Sequence, residues 1–129
     1  MPSIFTRIVR GEIPCHKVAE DDRFLAFLDI APLREGHTLV VPKLEVDKFF
    51  ELPGDVLAGI MPFAQGVAMK IARVVPCDRV GVSVIGLEVP HAHVHLIPID
   101  RMSDMDFAKP KLKLTHEELA AIAERIRNA

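Results

Sequence analysis

The sequence predicts an α+β domain: an antiparallel sheet with helices packed on one side of it. Three observations carry that expectation. Five strand-like segments occur along the chain, and neighbours are mostly separated by turns too short for anything but antiparallel pairing. One long stretch, Asp55 to Val75, repeats its apolar residues at helical spacing. The chain is 129 residues long and 50% hydrophobic, which suits one core better than two small ones. Residues 1–129 are therefore read as a single domain.

Each element has its own signal. A first helix over Ile4 to Arg10 follows from Ser3 as its cap, from Ile4, Phe5, Ile8 and Val9 on one face, and from Gly11 as its stop. His16–Glu20 and Arg23–Asp29 read as strands joined by Asp21-Asp22. Pro32 to Gly36 is a turn, and His37–Val41 is a third strand ended by Pro42. The long helix carries Pro62, which predicts a kink or a later start, and Pro76 closes it. Val80–Ile85 and His91–Ile99 are two further strands around a short turn, Gly86 to Pro90. Residues 100 to 114 look irregular. Thr115 with Glu118 forms a capping box for a last helix, whose apolar stripe is Leu119, Ile122 and Ile126.

Composition excludes several functions. With 16 Lys and Arg against 18 Asp and Glu, the net charge is −2, which speaks against a nucleic-acid clamp or a polybasic membrane anchor. No apolar run approaches the roughly 18 residues of a spanning helix, so no transmembrane helix is expected, and the first residues lack the basic-then-apolar order of a secretory signal. Cys15 and Cys77 belong to no CxxC motif and read as reduced thiols, so a cytoplasmic location is expected. Uncharged side chains able to bind a ligand are scarce: Asn128 and Gln65 are the only amides. There are six His, and three of them fall within five residues.

That cluster, His91-Ala92-His93-Val94-His95-Leu96, is the most informative segment. On a strand, side chains alternate, so His91, His93 and His95 share a face while Ala92, Val94 and Leu96 take the other. The pattern admits three readings. The imidazoles could line a solvated sheet face. They could ligate a metal such as zinc, with His37 or Glu88 as a further ligand. Or one imidazole could attack phosphorus while its neighbours tune it.

The motif His-x-His-x-His followed by apolar residues resembles the histidine-triad (HIT) family of nucleotide hydrolases and transferases. The likeness extends to Ser3-Ile4-Phe5 with Gly11-Glu12-Ile13-Pro14, to Phe24 through Pro32, and to Gly36 through Lys43. It covers roughly residues 3 to 99. It implies a five-stranded antiparallel sheet with a long helix and shorter terminal helices, and a homodimer in which the sheets of two subunits join. It also implies a purine nucleoside monophosphate site, with Asp29 on the ribose hydroxyls and Ile4, Phe5, Ile8, Phe27, Leu28 and Ile30 around the base. The activity implied is hydrolysis at the α-phosphate of a nucleoside phosphoramidate, adenylate or dinucleotide. His93 would attack and form a nucleotidyl-histidine, and His95 would contact the phosphate or leaving group. His91 and His37 would orient the reactive imidazole. His95 stands where the transferase branch carries Gln, which implies hydrolysis. No cofactor, nucleic-acid partner or membrane partner is implied.

Two departures qualify the likeness. Many relatives have an Asn before the triad and a loop ending Gly-Gln-Ser/Thr; here Val84 or Ile85 and the short turn Leu87-Glu88-Val89-Pro90 take those places. Glu88 then reads as a proton donor, a binder of a cationic leaving group, a brake on activity, or a solvated turn residue. With a brake, the chain is a nucleotide-binding module with little turnover. Some relatives also hold a structural zinc with Cys at the positions of Ser3 and Thr6 and His at that of Glu45, so no structural metal is expected here. Lys109, Lys111 and Lys113 lie in the irregular basic segment. They read either as a solvated connector or as a source of a phosphate contact, in this subunit or the other.

Overall fold

A computed structural model describes all of residues 1–129. Helix α1 (Ile4–Val9) precedes strands β1 (Lys17–Glu20), β2 (Phe24–Leu28) and β3 (Thr38–Pro42). Helix α2 (Gly54–Val74) leads to β4 (Arg79–Ser83) and β5 (Val94–Ile99), and α3 (His116–Arg127) ends the chain. The five strands form one sheet in the order β1-β2-β3-β5-β4, and every neighbouring pair is antiparallel. The α+β architecture is as expected.

The sheet is covered on both faces, which corrects the one-sided arrangement read from the sequence. Phe24, Ala26 and Leu28 of β2 face the main core with Val40 and Val94, where α2 and α3 pack. Leu25 and Phe27 face the other way and join Leu39, Val41 and Phe5 of α1 in a smaller cluster. Strands buried on both sides read as continuous apolar runs, and Phe24–Leu28 is one.

Three further details differ from expectation. First, α2 begins at Gly54 and runs through Pro62, so Pro62 marks no later start. The carbonyl deprived of its partner belongs to exposed Ala58, where water can satisfy it. Second, α2 is long and apolar enough to cross a membrane by length and composition, although no apolar run is continuous. Its Val56, Ile60, Ala64, Val67 and Ile71 belong to the core. Third, β5 starts at Val94 rather than His91. Extending the pairing of Val40 with Val94 would set Pro42, which has no N–H, opposite Ala92. The Ala92 N–H bonds instead to the Val46 carbonyl at 2.7 Å. β4 correspondingly stops at Ser83, opposite His95. The capping box of α3 forms as read, with Thr115 N–H on Glu118 at 2.9 Å and Glu118 N–H on Thr115 at 3.1 Å.

Candidate active site

The face of the sheet that carries α1 holds a cavity of about 490 Å³, a volume suited to a small ligand. Ile4, Phe5 and Ile8 of α1 form one wall, and the end of β2 contributes Phe27, Asp29 and Ile30. Leu28 borders the cavity between them but belongs to the main core on the other face, which corrects its expected place around the base. His37, His93 and His95 lie in the cavity lining, and Glu88 comes from the turn before the triad. The structure thus brings together eleven of the twelve residues singled out in the sequence. His91 is the exception: it is wholly buried, behind the cavity rather than in it.

The solvated-face reading of the triad is overturned. His91 is 0%, His93 6% and His95 8% exposed, and His37 is 1% exposed. Nor do the three share one strand, because His91 and His93 precede β5 on irregular backbone.

The hydrogen bonds of this backbone assign the protons. His93 Nδ1 lies 2.7 Å from the His91 carbonyl oxygen. A carbonyl only accepts, so Nδ1 carries a hydrogen, and in the neutral ring Nε2 holds the lone pair. The opposite holds across the site. The Leu33 N–H donates to His37 Nδ1 at 3.0 Å, so the His37 proton sits on Nε2. That nitrogen donates to His95 Nδ1 at 2.9 Å, which leaves the His95 proton on Nε2. His37 therefore orients His95, not the central His93. His91 supports His93 through its main chain, while its own ring donates from Nε2 to the Pro42 carbonyl at 2.8 Å.

Gly36 makes the His37 turn possible. Its φ of +92° is in the region glycine favours, and a Cβ there would lie 2.9 Å from a Val75 methyl.

Burial sets the charge states. It pushes His37 down to about 3, helped by the positive potential of His95 and Lys111. It pushes His95 down to about 4, with His93 adding to the effect. His91 is lowered for the same reason. Both cavity rings of the His37–His95 pair are thus neutral near pH 7. Asp29 is raised by burial, against the opposing pull of the Ala31 N–H and His93. One of its oxygens accepts from that N–H at 2.9 Å. The other stands 3.7 Å from His37 Nε2, facing the cavity.

Behind the cavity, a second cluster ties α1 to the triad. Ser3 Oγ accepts from the Thr6 N–H at 3.0 Å, capping α1, and lies 2.7 Å from His91 Nδ1. Since His91 Nδ1 has no proton to give, Ser3 donates to it. Glu45 accepts from the Ser3 N–H at 2.8 Å and from the Thr6 hydroxyl. These bonds hold its carboxyl down at about 2. Two hydroxyls and a carboxylate already satisfied in this way are a poor donor set for zinc, which prefers thiolates and imidazoles in structural sites. Asp29, His37 and His95 also place ligand atoms within 4.8 Å of one another. A metal ion there would have to remove the proton that His37 shares with His95.

Sequence reasoning missed Phe107, whose ring stands edge-on to His95 with centroids 4.9 Å apart. Nothing in an irregular segment marks one aromatic as special. It also missed the Leu33 N–H and the His91 carbonyl, since main-chain groups leave no trace in residue identity.

The HIT domain model matches residues 10–102 of the chain. A HIT-like protein of Methanocaldococcus jannaschii is 41% identical over 102 residues, covering 74% of this chain and 77% of its own. The adenosine 5′-monophosphoramidase of Schizosaccharomyces pombe is 35% identical over 132 residues, covering 98% of this chain and 96% of its own. Among solved structures, a HIT-like protein from Bartonella henselae superimposes with a TM-score of 0.85 at 29% identity, over 98% of this chain and 94% of that one. The chain belongs to the HIT domain family. At that level it is a nucleotide-binding enzyme of the HIT hydrolase type.

Proposed function

We propose that the protein hydrolyses a purine nucleoside 5′-phosphoramidate or a related adenylate at the α-phosphorus, with His93 as nucleophile. The observation that carries this is the His93 ring, held through Nδ1 by the His91 carbonyl, so that its neutral form presents the Nε2 lone pair. The Schizosaccharomyces pombe relative named as an adenosine 5′-monophosphoramidase supports the choice of substrate.

The base would sit among the side chains of α1 and β2, and Asp29 would accept from both ribose hydroxyls. The Nε2 lone pair of His93 forms a bond to phosphorus as the bond to the leaving group breaks. The leaving group departs with that electron pair and takes a proton from water. The positive charge that develops on the His93 ring is shared through Nδ1–H with the His91 carbonyl. Water then adds to phosphorus, the P–N bond breaks, and the monophosphate leaves with His93 restored. His95 is neutral and donates its Nε2–H to a phosphate oxygen, acting as a fixed hydrogen-bond donor rather than an acid.

A homodimer joined at the sheet is part of the same reading. β4 is an edge strand, and Val82, Val84 and Ile85 are exposed on and just beyond it, an edge that a second copy would cover.

The test is incubation with adenosine 5′-phosphoramidate, comparing wild type with His93→Ala. Wild type is expected to release AMP and yield an adenylyl-His93 adduct by mass spectrometry. His93→Ala is expected to lose at least about 10⁴-fold in kcat/KM. AMP binding without turnover by wild type would favour a binding module, with Glu88 in place of the usual amide and hydroxyl groups as the reason.

A further inference from the structure

We propose that Lys111, carried to the cavity on the chain's own strap of residues 106–112, is the cation that binds the substrate's α-phosphate. This rests on the nucleotide reading above and supplies the phosphate contact that the missing amides leave open.

The cavity is lined by two carboxylates, Asp29 and Glu88, and Lys111 is the one Lys or Arg in that lining. A phosphate beside carboxylates is repelled unless a cation is present. His37 and His95 do not supply it, because burial keeps both neutral. The potential of Lys111 is felt within the site, since it lowers both Asp29 and His37.

The strap is built to hold that position. Its far end is fixed by the Leu112 N–H on the Pro32 carbonyl at 2.8 Å, and Pro32 belongs to the turn between Asp29 and His37. Its near end follows Asp104, which is paired with Arg34 of the same turn at 2.6 Å. Between these anchors Phe107 packs on His95, and the Asp106 carboxylate accepts from the Ala108 N–H at 2.9 Å. The Lys111 ammonium folds back onto the Phe107 and Lys109 carbonyls. Those bonds use two of its three donors. An incoming phosphate would exchange neutral acceptors for charged ones, which form shorter and stronger bonds. Lys109 and Lys113 share the strap's composition and, like Lys111, are exposed, but only Lys111 belongs to the cavity lining. They are internal controls.

The experiment measures binding of AMP and of adenosine, and kcat/KM for adenosine 5′-phosphoramidate, in wild type, Lys111→Met, Lys111→Arg, and the paired control Lys109→Met with Lys113→Met. Wild type is expected to bind AMP more tightly than adenosine. Lys111→Met should remove most of that preference, leaving only what the His95 Nε2–H contributes, leave adenosine binding unchanged, and lower kcat/KM by about 10- to 100-fold. Lys111→Arg should restore most of the preference, and the paired control should behave as wild type. The proposal is overturned if Lys111→Met keeps the wild-type preference, or if the control loses it equally. A wild type that binds neither ligand overturns the nucleotide reading and this proposal with it. A wild type that binds AMP beside an unaltered Lys111→Met overturns this proposal alone.

Discussion

The two histidine pairs of the site are held in opposite ways. His91 and His93 each donate to a carbonyl oxygen, Pro42 for one and His91 itself for the other. His37 and His95 are joined ring to ring, in a relay that starts from the Leu33 N–H. A carbonyl fixes a proton on the nitrogen that faces it, and an N–H fixes a lone pair there. The same residue type thus emerges as a bare Nε2 at His93 and as an Nε2–H at His95. Chemical role in this site is assigned by the main chain, and the difference between the pairs predicts where the site is fragile.

Acid should break the ring-to-ring pair, with the largest effect. In the folded protein His95 titrates at about 4 and His37 at about 3, against about 6.5 in an unfolded chain. Below pH 6.5 the unfolded state therefore binds more protons, and stability falls as pH falls. The stabilisation is fully present above about pH 6.5 and is lost progressively toward pH 4. From His95 alone the loss is on the order of 3 kcal/mol. Denaturant midpoints between pH 7.5 and 4.5 should show a steady decline, less steep in His95→Gln. A flat profile would mean that the pair is not buried neutral.

Next in size is a comparison of the two supports. His37→Ala removes the ring that sets the His95 tautomer, and kcat should drop about 10- to 100-fold with AMP binding little changed. His91→Ala retains the carbonyl that sets the His93 tautomer, so its kcat should fall less. Equal losses in the two variants, each folded by circular dichroism, would remove the distinction between ring support and main-chain support.

The legibility of the site divides along the same line. The triad is readable from residue types alone, as three His within five residues at strand spacing. His37, Asp29 and the apolar wall are singled out only through the resemblance to the HIT family, because a lone strand His, a turn Asp and periodic apolar residues otherwise read as structural. The fold class was readable because period and turn length are local. Two things were not. The proton assignments depend on Leu33 N–H and the His91 carbonyl, which any residue would supply. The placement of α1 opposite α2 and α3 depends on β2 and β3 being apolar on both faces, and a continuous run such as Phe24–Leu28 does not say which side receives which helix. Lys111 and its neighbours in the strap have the same composition, so only the path of the backbone separates the one at the cavity from the two outside it.

The smallest effect concerns the cluster behind the carbonyl-held pair. Ser3 caps α1 and donates to His91, so Ser3→Ala removes a cap and leaves a buried nitrogen without its donor. The expected cost is about 1–2 kcal/mol, seen as a lower Tm. Activity should change only a few-fold, because the His91 carbonyl stays in place. Glu45 is exposed, so water can replace its carboxylate on the Ser3 and Thr6 donors, and Glu45→Gln should cost less than Ser3→Ala. If the order were reversed, the carboxylate rather than the hydroxyl would be holding α1 against the triad. The cavity wall formed by Ile4, Phe5 and Ile8 would then depend on a surface charge, and high salt should weaken AMP binding more in wild type than in Glu45→Gln.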